Sequence, residues 1–291
     1  MAYDEVFTNI IKVADFSLKH TFESAQPLTF YGHYNNASNT LTYANGQHIL
    51  NVGFEGDVRR GRIVVASRYA NAIDDVKKRF RLDDDIKNMY ESVSTDAFMR
   101  NAIEKYHGMR VTLNDPWETT VCFIMSQFNN VKRIRRMVLN LVAAFGSEIK
   151  DDNDRVVGRS FPRSADLLKV TENDFKKIGA GFRAKYLVGA AQYCTYNLDL
   201  YKLNPNDYDG LKSELTEIFG VGDKVADCIA LMGYGNMHAF PIDVWVKRTL
   251  EKFYFKGKKK TVGELHAFAE KRWGKYAGFA QQYLFYHGMN I

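Results

Sequence analysis

Several things are scarce in this chain, and each scarcity closes off a class. Its 291 residues include only three cysteines, Cys122, Cys194 and Cys228, widely spaced and without a CxxC pair. That argues against a disulfide framework and against zinc or iron–sulfur sites, which need clustered thiolates. It fits a reducing cytoplasm. No run of about 18 apolar residues occurs, so no membrane-spanning helix is expected. Met1 to Lys12 brings acids early (Asp4, Glu5) and no long apolar stretch, which predicts no secretory signal. Internal repeats and low-complexity tracts are also missing. Charge is nearly balanced: 40 Lys and Arg against 34 acids give +6, a mild lean toward polyanions.

What is present is an ordinary globular composition, 46% hydrophobic and 25% charged. The first 70 or so residues read mainly as strands. Thr40–Tyr43 and His48–Val52 flank Asn45-Gly46, a strong hairpin signal. Ile63–Ala66 is a further strand candidate. From about Asp74 the pattern turns helical and stays so, apart from a polar surface loop expected over residues 146–159. The expectation is a β-rich domain over 1–95 and a helical domain over 96–291. In the second, Asp115-Pro116-Trp117-Glu118 reads as an N-cap, a proline at the first helical position and a glutamate completing a capping box.

The most informative stretch runs from Leu215 to Asp227, inside a helix–turn–helix expected at 211–233. Gly220-Val221-Gly222 sits between two apolar-periodic segments. Two glycines around one apolar residue permit a tight turn. They also bare backbone N–H groups at the start of the second helix, a natural phosphate site. With Lys224 and Ala226 after it, the pattern matches the helix-hairpin-helix signature, which grips a DNA backbone without reading sequence. Pro241-Ile242-Asp243 follows. Asp243 is either the N-cap of the next helix or a carboxylate returned beside Lys224.

Lysine hairpin, then Pro-x-Asp, then helix resembles the helix-hairpin-helix (HhH-GPD) DNA glycosylase superfamily. Gly220 to Met232 is very similar to the core of its 8-oxoguanine DNA glycosylases. Asn114–Glu118, Phe123–Ser126, Asn129-Asn130, Gly179–Tyr186 and Trp273–Gln281 follow in the family's order; Phe22–Gln26 matches its N-terminal segment more weakly. The resemblance implies an α+β fold: a TATA-binding-protein-like antiparallel sheet, then a mainly α-helical glycosylase domain. It implies a glycosylase and AP lyase that extrudes a damaged base, attacks C1′ with Lys224 and uses Asp243 against developing positive charge. The partner would be double-stranded DNA carrying the lesion, with no membrane and a monomeric enzyme. It would be cytoplasmic: nucleoid-associated in a prokaryote, nuclear in a eukaryote. No cofactor is called for, beyond a monovalent cation that the hairpin carbonyls could hold.

By the same resemblance Cys228 and Phe285 sandwich the base, Gln281 pairs with its edge, and Ala25 stands where the family has a glycine whose carbonyl senses the N7 hydrogen of 8-oxoguanine. Core packing is the plain alternative for Cys228 and Phe285, a solvated helix lysine for Lys224, and a small strand-end residue for Ala25. Gly220, Val221, Gly222, Asn129, Asn130, Arg133 and Arg183 fall at DNA-contacting positions, the two arginines at those that meet the orphaned cytosine. Three DNA-side positions depart from the family: Phe128 replaces an asparagine, Phe182 a tyrosine and Trp245 a histidine. These put opposite-base selectivity in question. Two further readings compete: an alkylated-base glycosylase of the same fold, which usually lacks the lysine, and a non-catalytic helix-hairpin-helix DNA-binding protein, against which Lys224 and Asp243 together argue.

Overall fold

A computed structural model of the chain describes residues 7–291. Its N-terminal part is a five-stranded antiparallel sheet in the order β1-β5-β4-β3-β2. The elements run β1 (Phe7–Val13), α1 (Leu18–Glu23), α2 (Pro27–Tyr31), β2 (His33–Asn35), β3 (Thr40–Asn45), β4 (His48–Asp57) and β5 (Arg60–Ser67). Alternation puts Leu41, Tyr43, Leu50, Val52, Phe54, Ile63 and Val65 on one buried face. Asn45 pairs with His48, so the turn residues are Gly46 and Gln47, and Gly46 takes the first corner at φ 56°. Asn45-Gly46 thus marks the hairpin one residue earlier than an Asn-Gly turn would.

The reading of this region as mainly strands named neither α1 nor α2. Ser17 caps α1 by accepting from the His20 N–H at 3.2 Å, and Pro27 opens α2. Both helices are too short to show a period, which is why the pattern hid them.

The helical part continues as α3 (Ala72–Phe80), α4 (Ile86–Val93), α5 (Ala97–Lys105), α6 (Pro116–Ser126), α7 (Val131–Phe145), then β6 (Glu148–Lys150) and β7 (Val156–Arg159). It ends with α8 (Glu172–Lys177), α9 (Ala184–Tyr196), α10 (Tyr208–Thr216), α11 (Asp223–Gly233), α12 (Val244–Phe253), α13 (Val262–Trp273) and α14 (Ala277–Met289). The segment expected to be a loop over 146–159 is therefore a small hairpin. Its tip is stiffened by Asp151, whose Oδ1 accepts from the Asn153 and Arg155 N–H groups.

Asp115 caps α6 as expected, its Oδ1 accepting from the Trp117 and Glu118 N–H groups at 2.8 and 3.0 Å. Glu118 does not complete a capping box. It is buried, accepts a hydrogen bond from the Tyr31 hydroxyl at 2.8 Å and lies 3.9 Å from the Arg79 guanidinium. Burial pushes its carboxyl up to about 7 against the pull of Arg79. Recruiting Glu118 this way ties α6 to α2 and α3. The expected boundary near residue 95 falls between α4 and α5, and both of these helices pack on α14. One continuous core runs through sheet and helices.

Candidate active site

The hairpin is built as the glycines require. Gly220 has φ 91°, and a Cβ there would lie 2.4 Å from the Tyr186 ring, so both backbone and packing exclude a side chain. Its carbonyl accepts from Gln127 Nε2 at 3.0 Å, which fastens the turn to the end of α6. Gly222 is different. It caps α11 in extended backbone (φ −100°, ψ 179°), and a Cβ there would meet nothing within 4 Å. The fold therefore does not need glycine here, but a bare approach to the first amides of α11 does. Asp223 on that first turn carries a phosphate's own sign of charge, with Lys212 3.9 Å away to offset it. We expect Gly222→Ala to change unfolding free energy by no more than about 1 kcal/mol, since lost capping opposes reduced unfolded-chain entropy. Affinity for duplex DNA should fall at least about fivefold, as one amide–phosphate contact is blocked. Denaturant melts and fluorescence anisotropy on one preparation check both halves.

From this turn α11 runs into the interior. Every residue from Val225 to Gly233 is buried. Lys224, the residue just before Val225, is partly buried, its Nζ 5.3 Å from the centroid of the Phe123 ring. Asp243 caps α12, its Oδ1 accepting from the Trp245 and Val246 N–H groups at 2.9 and 2.8 Å. The N-cap role is thus real. It does not displace the other one, because Asp243 and Lys224 line the same cavity of about 720 Å³. Burial raises the Asp243 carboxyl above its ordinary range, against the pull of those two amides and of Lys224.

That cavity gathers Ala25, Cys228, Gln281 and Phe285 around the pair, with Phe128, Asn129, Asn130 and Trp245 on its lining as well. Cys228 is buried one turn after Lys224, and burial pushes its thiol up to about 11 against the pull of that lysine. It presents a neutral S–H. Gln281 donates from Nε2 to the Pro241 carbonyl at 3.1 Å, while its buried Oε1 has no partner. A buried acceptor without a donor costs about 1–3 kcal/mol, and a ligand carrying an N–H would recover it.

Ala25 is not at a strand end. It lies in the turn between α1 and α2 with φ 58°, a left-handed conformation that costs a non-glycine residue roughly 1–2 kcal/mol. Its neighbours hold it there. Gln282 donates to the Ser24 carbonyl at 2.7 Å, and the buried Gln26 side chain bonds the Arg110 carbonyl and the Thr112 N–H. Ala25→Gly should therefore gain about 0.5–1 kcal/mol net, the relieved strain exceeding the added chain entropy. It should leave lesion preference unchanged, because the carbonyl stays. Denaturant titration together with excision of 8-oxoguanine against guanine would show otherwise.

Arg183 departs from its expected place. Its side chain is 2% exposed, and the guanidinium donates to the Gln127, Phe128 and Ala180 carbonyls. With its donors turned inward it fixes the loop after α6 and does not reach out toward an orphaned base. Arg133 is exposed on the first turn of α7, which Asn130 caps at 3.0 Å. Phe123 beneath Lys224 and Gln127 against the turn were missed as site residues. Their only signal was position at the buried end of an apolar helix. Three turn carbonyls are already engaged, Ile218 with the Val221 N–H, Gly220 with Gln127 and Gly222 with the Val225 and Ala226 N–H groups, so the backbone gives no independent support for a bound cation. Among the described residues no cluster of His, Cys, Asp and Glu could hold a metal ion, and no helix is long and apolar enough to cross a membrane.

Comparison with known proteins places the chain in one family. Residues 9–120 match the model of the 8-oxoguanine DNA glycosylase N-terminal domain, and residues 121–275 match that of the HhH-GPD superfamily base excision DNA repair protein. An N-glycosylase/DNA lyase of Saccharomyces cerevisiae is 32% identical over 244 residues, 72% of this chain and 64% of the yeast protein. The chain thus spans just under two thirds of that relative's length. The solved structure of MBOgg1 in complex with a low affinity DNA ligand superposes with a TM-score of 0.89 at 34% identity, covering 98% of this chain and 96% of that one. An 8-oxoguanine glycosylase/lyase of Clostridium acetobutylicum, solved with double-stranded DNA containing cytosine opposite 8-oxoguanine, gives 0.87 at 27% identity over the full length of both. The chain belongs to the HhH-GPD superfamily of base excision DNA repair proteins, in its 8-oxoguanine DNA glycosylase branch.

Proposed function

We propose that this protein extrudes 8-oxoguanine from double-stranded DNA, excises it through Lys224 and then breaks the strand at the same sugar. The observation that carries the reading is the shared cavity. Its lining supplies an amine and a carboxylate, Lys224 and Asp243, together with a ring, a neutral thiol and an unpartnered amide oxygen. A base cannot be attacked inside the stack, and extrusion costs a few kcal/mol. Phe285 and Cys228 recover part of that by contact with the two faces. Gln281 Oε1 accepts from the Watson–Crick edge of a guanine-type base.

In the chemical step the Lys224 amine bonds to C1′ as the bond from C1′ to the base breaks, the electron pair leaving with the base. Asp243 stabilises positive charge on the sugar. Its raised proton affinity also suits it to take a proton from the amine. Collapse to the Schiff base breaks the C1′–O4′ bond, the ring oxygen taking up a proton, and loss of a C2′ proton to the departed base or to water then breaks the C3′–O bond and expels the 3′ phosphate. No step calls on a cofactor.

Borohydride trapping on a duplex with a single 8-oxoguanine tests the proposal, since a trapped complex requires both amine chemistry and this substrate. Equal trapping on undamaged duplex, or none on the lesion, would overturn it. The Phe128 side chain cannot hydrogen-bond an opposite base and Arg183 is engaged elsewhere, which leaves exposed Arg133 alone of the two arginines, so discrimination among opposite bases should be weak. Single-turnover excision opposite C, A, G and T is expected to vary by less than about a hundredfold, below what two good hydrogen-bonded readouts would impose. A larger preference for C would refute this.

A further inference from the structure

Four aromatic rings run from the mouth of the cavity to the hairpin. Phe128, on the cavity rim, meets Phe182 edge-on at 6.2 Å between centroids. Phe182 meets Tyr186 at 6.1 Å, and Tyr186 meets Phe219 at 5.2 Å, again edge-on. Three of the four are solvent-exposed: Phe128 by 93%, Phe182 by 48% and Phe219 by 54%. Isolated exposed rings are unremarkable, but a contiguous row of them marks an interaction surface. Phe219 directly precedes Gly220, so the row ends on the DNA-gripping turn.

The row is held in place at a cost. Phe128 sits at φ 47°, a left-handed conformation foreign to a bulky residue. Arg183 keeps it there by donating to the Gln127 and Phe128 carbonyls, while its guanidinium carbon lies 4.4 Å from the Phe182 centroid. Cations border the row: Lys185 Nζ is 5.2 Å from the Tyr186 centroid, and Lys132 and Arg133 are exposed beside Phe128. Exposed rings flanked by cations are how proteins bind unpaired nucleic acid. Rings stack on any base, and cations follow the backbone.

We infer that this row is a stacking platform for the unpaired bases beside the lesion, and that it lets the enzyme excise 8-oxoguanine from single-stranded DNA. The inference rests on the proposed function. A reader that hydrogen-bonds the opposite base needs that strand; a row of rings does not. With Phe128 and Phe182 stacked on the flanking bases of the lesion strand, the protein itself replaces the stacking that a duplex provides. Phe219 extends the platform toward the strand held by the hairpin.

The test compares one oligonucleotide carrying a central 8-oxoguanine, single-stranded or annealed opposite C, under single-turnover conditions. Excision from the single strand is expected within about tenfold of the duplex rate. Duplex excision with the single strand more than about a thousandfold slower would overturn the inference and leave the proposed function standing. Excision from neither would remove the proposed function instead. Phe219→Ala supplies the second arm. It should weaken anisotropy-measured binding of an undamaged single-stranded oligonucleotide by about five- to a hundredfold, the loss of one stacking contact. Circular dichroism would establish that the variant is folded, and unchanged single-strand affinity in a folded variant would remove Phe219 from the platform.

Discussion

Lys224→Gln should abolish base excision and borohydride-trapped adducts together, by roughly four orders of magnitude or more in rate, while lesion DNA still binds. Losses of that order follow removal of a nucleophile whose partners work as a unit. Glutamine keeps most of the side-chain length and a donor at its tip but has no amine that can attack C1′. Folding should be little affected. The lysine's one named aromatic partner is the Phe123 ring, a contact worth about 0.5–2 kcal/mol, and the rest of α11 stays packed. Affinity should survive because the hairpin amides and the base pocket are untouched. A solvated helix lysine beside a phosphate predicts a different result, with weaker binding and near-normal chemistry at saturating enzyme. A variant that still forms the covalent adduct would move the nucleophile to another amine.

Lys224 was legible in the sequence because its signal is local. Two glycines, one apolar residue between them and a lysine two places on fix a turn, a helix start and a side chain just inside it. Asp243 was legible as an N-cap for the same reason, and Pro241 announced the break before it. What the sequence hid depends on long-range partners. Glu118 has the spacing of a capping box, yet Tyr31 and Arg79, 87 and 39 residues away, bury it and take it over. Arg183 falls, by the resemblance, at a position that meets the orphaned cytosine, and arginine is almost never buried unpaired. Three backbone carbonyls around it make burial affordable. The strain at Ala25 and Phe128 was also out of reach, since neither residue type announces a left-handed backbone as glycine does. Both positions border the cavity, where the base and its neighbours would be held.

Asp243→Asn separates the two roles that the structure joins in one side chain. Asparagine caps a helix as well as aspartate, so the bonds from the Trp245 and Val246 N–H groups can persist. The charge is what disappears. Burial raises the Asp243 carboxyl above its ordinary 3.8, so the folded protein holds the proton more tightly than the unfolded chain does. Folding is then favoured by this group below the ordinary value. That contribution is lost as pH rises through the raised one, and at neutral pH the buried charge is a net cost. The asparagine variant carries no such cost. It should be at least as stable as the parent protein at pH 7, with the difference closing as pH falls below about 4. Excision should move the other way, falling by at least about a hundredfold, the usual loss when one preorganised electrostatic group is removed from a reacting centre. In the parent protein the single-turnover rate should drop on the acid side as Asp243 takes up its proton, with a midpoint above the ordinary carboxylate range; in the variant that limb should be missing. Thermal melts across pH and single-turnover rates on the same preparations measure both. A variant that is less stable at pH 7 and nearly as fast as the parent would leave Asp243 as a cap alone, and the positive charge on the sugar would need another partner.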